Sequence, residues 1–204
     1  MKALSFVNAF LLSWSGSCLH ERTASLKRAL FTDLSGVVIE IGSGSGVNLP
    51  LMPHGVCRYI GVEPNPFLRE DLRGVTTSPP LAIEAVDGAA EHLPFPDNFA
   101  DAVISTFVLC SVRDQKAALG EALRVLKPGG KFVFLEHIAS PKGSLGRRLQ
   151  TWLSPLSCCC CGGCHSDRDT GIVIHDAAFT FTQIAMTPPL RFLSAPIIAG
   201  YAIK

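Results

Sequence analysis

The feature that most constrains this chain is a run of glycines set directly after a short apolar segment. Val37-Val38-Ile39-Glu40-Ile41 leads straight into Gly42-Ser43-Gly44-Ser45-Gly46. A segment that is apolar at successive positions must be buried on both faces, which is the condition of a parallel strand covered by helices. Glycines at its end allow positive φ and let a ligand come close to the main chain. The dinucleotide fingerprint sets its third glycine three positions after the second, and Val47 stands there, so the spacing is G-x-G-x-G. No lysine stands in the loop, which excludes a Walker-type phosphate cradle. Glu63 ends the next apolar segment, Tyr59-Ile60-Gly61-Val62. An acid at that spacing is placed to accept hydrogen bonds from ribose hydroxyls.

The rest of the chain continues the alternation that such a start requires. Leu81 to Val86, Ala102-Val103-Ile104 and Lys131-Phe132-Val133-Phe134-Leu135 are short, apolar and bounded by Gly, Pro, Asp or Asn, and are read as further buried parallel strands. Glu21 to Phe31 sets Leu26, Ala29 and Leu30 among Arg22, Lys27 and Arg28, which predicts an amphipathic helix packed on the sheet. Asp114 to Leu126 predicts another, with Lys127-Pro128-Gly129-Gly130 as its stop. Phe179 to Met186 and Ile197 to Ile203, joined through Pro188-Pro189, are expected as a closing antiparallel pair. The pattern is βαβ, and 204 residues suit one domain. With 48% hydrophobic and 17% charged residues the chain cannot be disordered. A net charge of +1 lacks the basic excess of a nucleic-acid binder, so no nucleic-acid partner is expected.

Two regions stand outside this pattern. Residues 1–19 form an apolar N-terminal segment, in which the twelve residues Ala3 to Trp14 place Phe6, Val7, Phe10, Leu11 and Trp14 on one helical face. A bilayer span needs about 20 apolar residues, so the segment is read as an interfacial anchor or a packed helix, with a cleaved secretory signal, whose outline it also has, as the third reading. Five of eight cysteines cluster as Cys158, Cys159, Cys160, Cys161 and Cys164, which is no spaced disulfide framework. Cys161-Gly162-Gly163-Cys164-His165 offers metal-ligand types, but a structural zinc site needs a second spaced pair, so no metal is expected. Leu145 to Leu156 carries Arg147, Arg148 and Trp152 and suits either a lipid surface or a substrate-side insertion.

Four landmarks in order, Glu40 to Gly46, Gly61-Val62-Glu63-Pro64-Asn65-Pro66, Ala90-Glu91-His92-Leu93-Pro94-Phe95 and Leu123 to Gly130, resemble those of class I S-adenosylmethionine-dependent methyltransferases. Pro64-Asn65-Pro66, Leu109-Cys110-Ser111-Val112, Glu136-His137 and the ending Gly200-Tyr201-Ala202-Ile203-Lys204 are similar to the methyltransferase-like-seven family of microsomal alkyl-thiol S-methyltransferases. The resemblance covers residues 20 to 204, which form the methyltransferase domain. It implies a single-domain Rossmann-like α/β fold: a mostly parallel seven-stranded sheet with an antiparallel C-terminal strand and helices on both faces. It implies S-adenosyl-L-methionine as cofactor, held by Glu40, Gly42, Ser43, Gly44, Ser45, Gly46, Glu63, Pro64, Asn65, Ala89, Ala90, Thr106 and Phe107. Glu40 would face the methionine ammonium and Glu63 the ribose diol. Relatives of that class place an Asp two residues before Glu91, where this chain has Ala89, so adenine is expected against the backbone of Ala89 and Ala90, with Asp87 a displaced substitute. The family also implies attachment to the cytoplasmic face of the endoplasmic reticulum or to lipid droplets; without such attachment the protein is expected in the cytoplasm.

A sulfonium methyl is already electrophilic, so the protein has mainly to align donor and acceptor and exclude water. His137 and Cys110 are the candidate catalytic residues at the acceptor end, His137 as an aid to deprotonation or as a structural histidine, Cys110 as a small apolar wall. His92 is expected on the surface. The expected reaction is methylation of a small apolar thiol by a monomer. Two alternatives stand beside it: O- or C-methylation of a lipid or quinone, and a membrane- or droplet-associated protein that binds the cofactor without turnover.

Overall fold

The structure is a computed structural model of the chain and describes residues 20–77, 81–160, 163–187 and 196–204. The expected N-terminal helix of Ala3 to Trp14, Cys161 and the Pro188-Pro189 connection lie outside those residues. A helix over 20–31, α1, opens the described chain. It is followed by β1 (Gly36–Ile41), β2 (Val56–Val62), α2 (Pro66–Arg73), β3 (Ala82–Val86), β4 (Ala100–Thr106), α3 (Gln115–Val125), β5 (Leu126–His137), α4 (Leu145–Cys160), α5 (Thr170–His175), β6 (Phe181–Thr187) and β7 (Ile197–Ile203).

The strands form one seven-stranded sheet in the order β3-β2-β1-β4-β5-β7-β6. The pairs among β1 to β5 are parallel, and β7 runs antiparallel to both β5 and β6. Side-chain parity sorts the layers. Val38, Ala102, Ile104 and Val133 pack with Phe31 of α1 and with Leu34, while Ile39, Val103, Phe132 and Phe134 pack with Ala118, Leu119, Ala122 and Val125 of α3 and Ile174 of α5. Tyr59, opposite Val38 in the register, packs with Leu72 of α2. Helices therefore cover both faces, α1 and α2 on one, α3 and α5 on the other.

The junction between α3 and β5 departs from the expected boundaries. The helix read to Leu126 ends at Val125, and Lys127 to Gly130 belong to β5. Leu126 already pairs with Ala100, and the ladder shifts register before Ala102 meets Lys131, so the Pro-Gly-Gly stretch is absorbed as an irregularity at the start of the strand. The glycine loop follows β1, whose neighbours β2 and β4 are reached by connections running in opposite directions. Ligands of open α/β sheets settle outside the carboxyl ends of the strands at such a switch point.

Candidate active site

Glu63, just past β2, closes the glycine loop. Its Oε2 accepts from the Gly44 N–H at 3.0 Å, and its Oε1 accepts from the Asn65 N–H at 2.8 Å. Asn65 in turn caps α2, accepting from the Phe67 N–H at 3.0 Å. Burial pushes the Glu63 carboxyl upward, against the backbone N–H groups of Asn65 and Gly44, which hold it down. Two glycines of the loop serve different ends. Gly42 has φ +60, and a Cβ there would strike Val108 2.5 Å away, so packing alone requires it. Gly44 has φ +56, and a Cβ there would meet nothing within 4 Å, so its outer side is open to a ligand. Beneath the turn the Ser43 hydroxyl is buried with no hydrogen-bond partner. Ser45 lies half-buried in the same turn and Pro64 is exposed.

Glu40 is fully buried and joins four elements. Its oxygens accept from Tyr59 Oη and Asn48 Nδ2, and Asn48 Nδ2 also donates to Thr106 Oγ1 at 2.9 Å. Lys27 of α1 reaches in to donate to Asn48 Oδ1 at 2.9 Å. Burial pushes the Glu40 carboxyl up, the Tyr59 phenol well up and the Lys27 amine down. The sequence reading set Lys27 among the polar residues of α1, where the structure buries it, and gave Lys27, Asn48 and Tyr59 no place in the site. The one available signal was the spacing of four that sets Thr23, Lys27 and Phe31 on the buried side of α1.

The carboxyl ends of β4 and β5 form the other wall. Phe107, directly after β4, is held at φ +59, a region that bulky side chains avoid and that strain at binding sites often occupies. Its N–H donates to Leu135 O at 2.8 Å, and its ring packs on the His137 imidazole with centroids 4.6 Å apart. Lys27 Nζ lies 5.8 Å from the same ring. Cys110 is buried one turn further on, its Sγ 3.4 Å from Cys164 Sγ. That contact, with burial, pushes the Cys110 thiol well up. Glu136, fully buried, accepts from Ser105 Oγ at 2.6 Å and from the Val108 N–H at 3.1 Å, and so fixes the turn that carries Phe107.

On the far side of the loop Ala89 and His92 form a single antiparallel bridge, Ala90 is buried and His92 is exposed. Asp87 is engaged by Arg69 at 2.9 Å. Glu40, the glycines, Glu63, Thr106, Phe107, Cys110 and His137 thus lie along the carboxyl ends of β1, β2, β4 and β5. An open turn over Gly44 beside a buried carboxylate fits the sugar of a nucleoside-bearing ligand, while Glu40 already has the Lys27 amine for a nearby cation and acts on the site through Asn48 and Thr106.

Comparison with known proteins agrees with this geometry. Residues 39–134 match the family model described as a methyltransferase domain. The chain is 34% identical to the human thiol S-methyltransferase TMT1A over 198 residues, covering 91% of this chain and 81% of that protein. It is 35% identical to the Mus musculus thiol S-methyltransferase TMT1B, again over 91% and 81% of the two chains. Among solved structures, a SAM-dependent methyltransferase from Thermotoga maritima superposes with a TM-score of 0.69 at 21% identity, over 97% of each chain.

Proposed function

The chain belongs to the thiol S-methyltransferase family of S-adenosylmethionine-dependent methyltransferases, and from that premise we propose that its acceptor is a small apolar thiol. The observation that carries this reading is the reach of the similarity. A methyltransferase domain alone accounts for residues 39–134, whereas the likeness to the thiol enzymes covers 91% of the chain and so extends into the half that supplies His137 and Cys164.

When bound, S-adenosylmethionine supplies a sulfonium methyl that needs no covalent enzyme intermediate. The residues of this chain do the rest. Glu63 accepts hydrogen bonds from the ribose hydroxyls, and Gly44 leaves the main chain open beneath them, with Gly42, Ser43, Ser45 and Gly46 shaping the turn. Pro64 and Asn65 border the sugar, and the backbone of Ala89 and Ala90 borders the base. Glu40 acts from beneath, its charge favouring an ammonium group while Asn48 and Thr106 are held in place. Phe107 walls off the transfer point from water, and Cys110 and His137 line the side from which the acceptor arrives. Alignment and water exclusion are the main sources of rate in such a transfer. The same family reading supports a monomer placed on the cytoplasmic face of the endoplasmic reticulum or on lipid droplets, or else in the cytoplasm.

A panel of alkyl thiols, phenols and quinones, incubated with methyl-labelled cofactor, tests the acceptor class. Label in the thiols alone is the expected result. Faster labelling of a phenol or quinone overturns the thiol reading, and cofactor binding with no labelled product from any acceptor overturns catalysis.

A further inference from the structure

Cys110, His137 and Cys164 come from three separate parts of the chain: the turn after β4, the last residue of β5 and the segment after α4. Their sulfur and ring-nitrogen atoms all lie within 4.8 Å of one another. The two sulfurs, 54 residues apart in sequence, approach to 3.4 Å without a disulfide between them. Alignment of donor and acceptor gives Cys164 no part to play. We propose that these three side chains bind a zinc ion in a tetrahedral site whose fourth position opens toward the methyl acceptor.

The ligand set favours zinc. Two thiolates and an imidazole suit this borderline-soft ion, and three protein ligands with one position left over is the arrangement of zinc sites that do chemistry. The spacing fits as well. With Zn–S bonds of about 2.3 Å, two sulfurs of a tetrahedron stand about 3.8 Å apart, so the pair would open by only a few tenths of an ångström. Charge also balances. Two thiolates and a neutral imidazole cancel the ion's charge, so a buried site leaves no uncompensated charge behind.

Hydrogen bonds hold the three ligand-bearing segments in register. His165 N–H donates to Cys110 O at 2.9 Å, Arg168 donates to Leu109 O at 3.3 Å and to Val112 O, and the Ala139 N–H donates to Arg168 O at 2.9 Å. Gln115 ties the same two segments together, donating to Leu109 O at 3.0 Å and to Thr170 Oγ1 at 2.9 Å. Cys110 is buried while His137 and Cys164 are half-buried, which leaves a side for the ion and its fourth ligand to reach. His165, the neighbour that suggests a ligand by sequence, is turned the other way, with Nδ1 3.3 Å from Ser154 Oγ.

The use of the fourth position rests on the thiol reading of the acceptor; the metal site itself does not. An acceptor thiol displaces the zinc-bound water, and its proton leaves to solvent, because a zinc-bound thiol is deprotonated outright. The thiolate sulfur then forms the new S–CH3 bond as the methyl–sulfonium bond breaks, and that electron pair stays on the sulfur of S-adenosylhomocysteine. No protein base is consumed.

The test uses the full chain, kept reduced with a phosphine, stripped with a chelator and titrated with Zn2+ or, for its visible spectrum, Co2+. One metal per chain is expected, with a sulfur-to-cobalt charge-transfer band and tetrahedral ligand-field bands. Cys164→Ser and Cys110→Ser should each weaken Zn2+ binding at least tenfold while cofactor binding by calorimetry reports an intact fold. A variant with Cys158, Cys159, Cys160 and Cys161 all changed to Ser should keep the metal. No uptake by the parent, formation of a Cys110–Cys164 disulfide in place of uptake, or loss of metal in the four-serine variant alone overturns the site. Adding an alkyl thiol to the Co2+ form should shift the charge-transfer band, and an unchanged band overturns the open fourth position. Undiminished thiol methylation by metal-free protein sinks the zinc role and leaves the proposed function standing.

Discussion

Glu63 does two things with one carboxylate, tying the Gly44 N–H to the Asn65 N–H and thereby the glycine turn to the start of α2. The same oxygens face the sugar in the proposed complex. Glu63→Ala removes one or two hydrogen bonds to a charged acceptor, and should lower S-adenosylmethionine affinity roughly ten- to hundredfold in calorimetry. Gly44→Val should act in the same direction by two routes: its Cβ enters the open side of the turn, and φ +56 is hostile to a β-branched residue. Unchanged affinity in both variants would show that the cofactor lies elsewhere. These two residues were legible in the sequence because their constraint is local: a turn that needs glycine and an acid at the end of the next strand. Cys164 was not. Its partners are set by how the segment after α4 folds back onto the turn after β4, which no spacing within Cys161 to His165 encodes.

At the scale of elements, the Glu40 network is the joint where α1, β1, β2 and the end of β4 meet, through Lys27, Glu40, Tyr59 and Thr106. Its carboxyl is raised chiefly by burial, so the folded state binds the proton more tightly than the unfolded chain does. Stability from this group is therefore full below the ordinary carboxylate range and falls as pH rises through the folded value. Glu40→Gln keeps an acceptor for Asn48 and removes that titration. Melting temperatures measured from about pH 5 to about pH 7.5 should show the parent losing ground to the variant as pH rises. A constant difference across that range would mean that Glu40 stays ionised throughout. The strands themselves were read from their apolar runs because burial on both faces leaves little else to encode. The start of β5 was not, since Pro128 and the two glycines after it signal a break, and pairing of Leu126 with Ala100 overrides that local preference.

For the molecule as a whole, the open question of arrangement is where its apolar surface goes. Charged residues make up 17% of the chain, against about 25% in ordinary soluble domains. On α4, Leu145, Leu149 and Trp152 follow one another at helical spacing with exposures of 82%, 38% and 77%, beside Arg147 and Arg148. No helix among the described residues is long and apolar enough to cross a membrane. The other apolar stretch of the sequence is Ala3 to Trp14. Deleting residues 1 to 17 should leave S-adenosylmethionine affinity unchanged and move the protein from the membrane fraction to the soluble one. The deletion also leaves Trp152 as the sole tryptophan, so its fluorescence reports on α4. A blue shift on adding vesicles, with the truncated chain still membrane-bound, would transfer the attachment to α4. A full-length protein that is wholly soluble without detergent, or a truncated one that unfolds, would instead make the segment a packed structural helix.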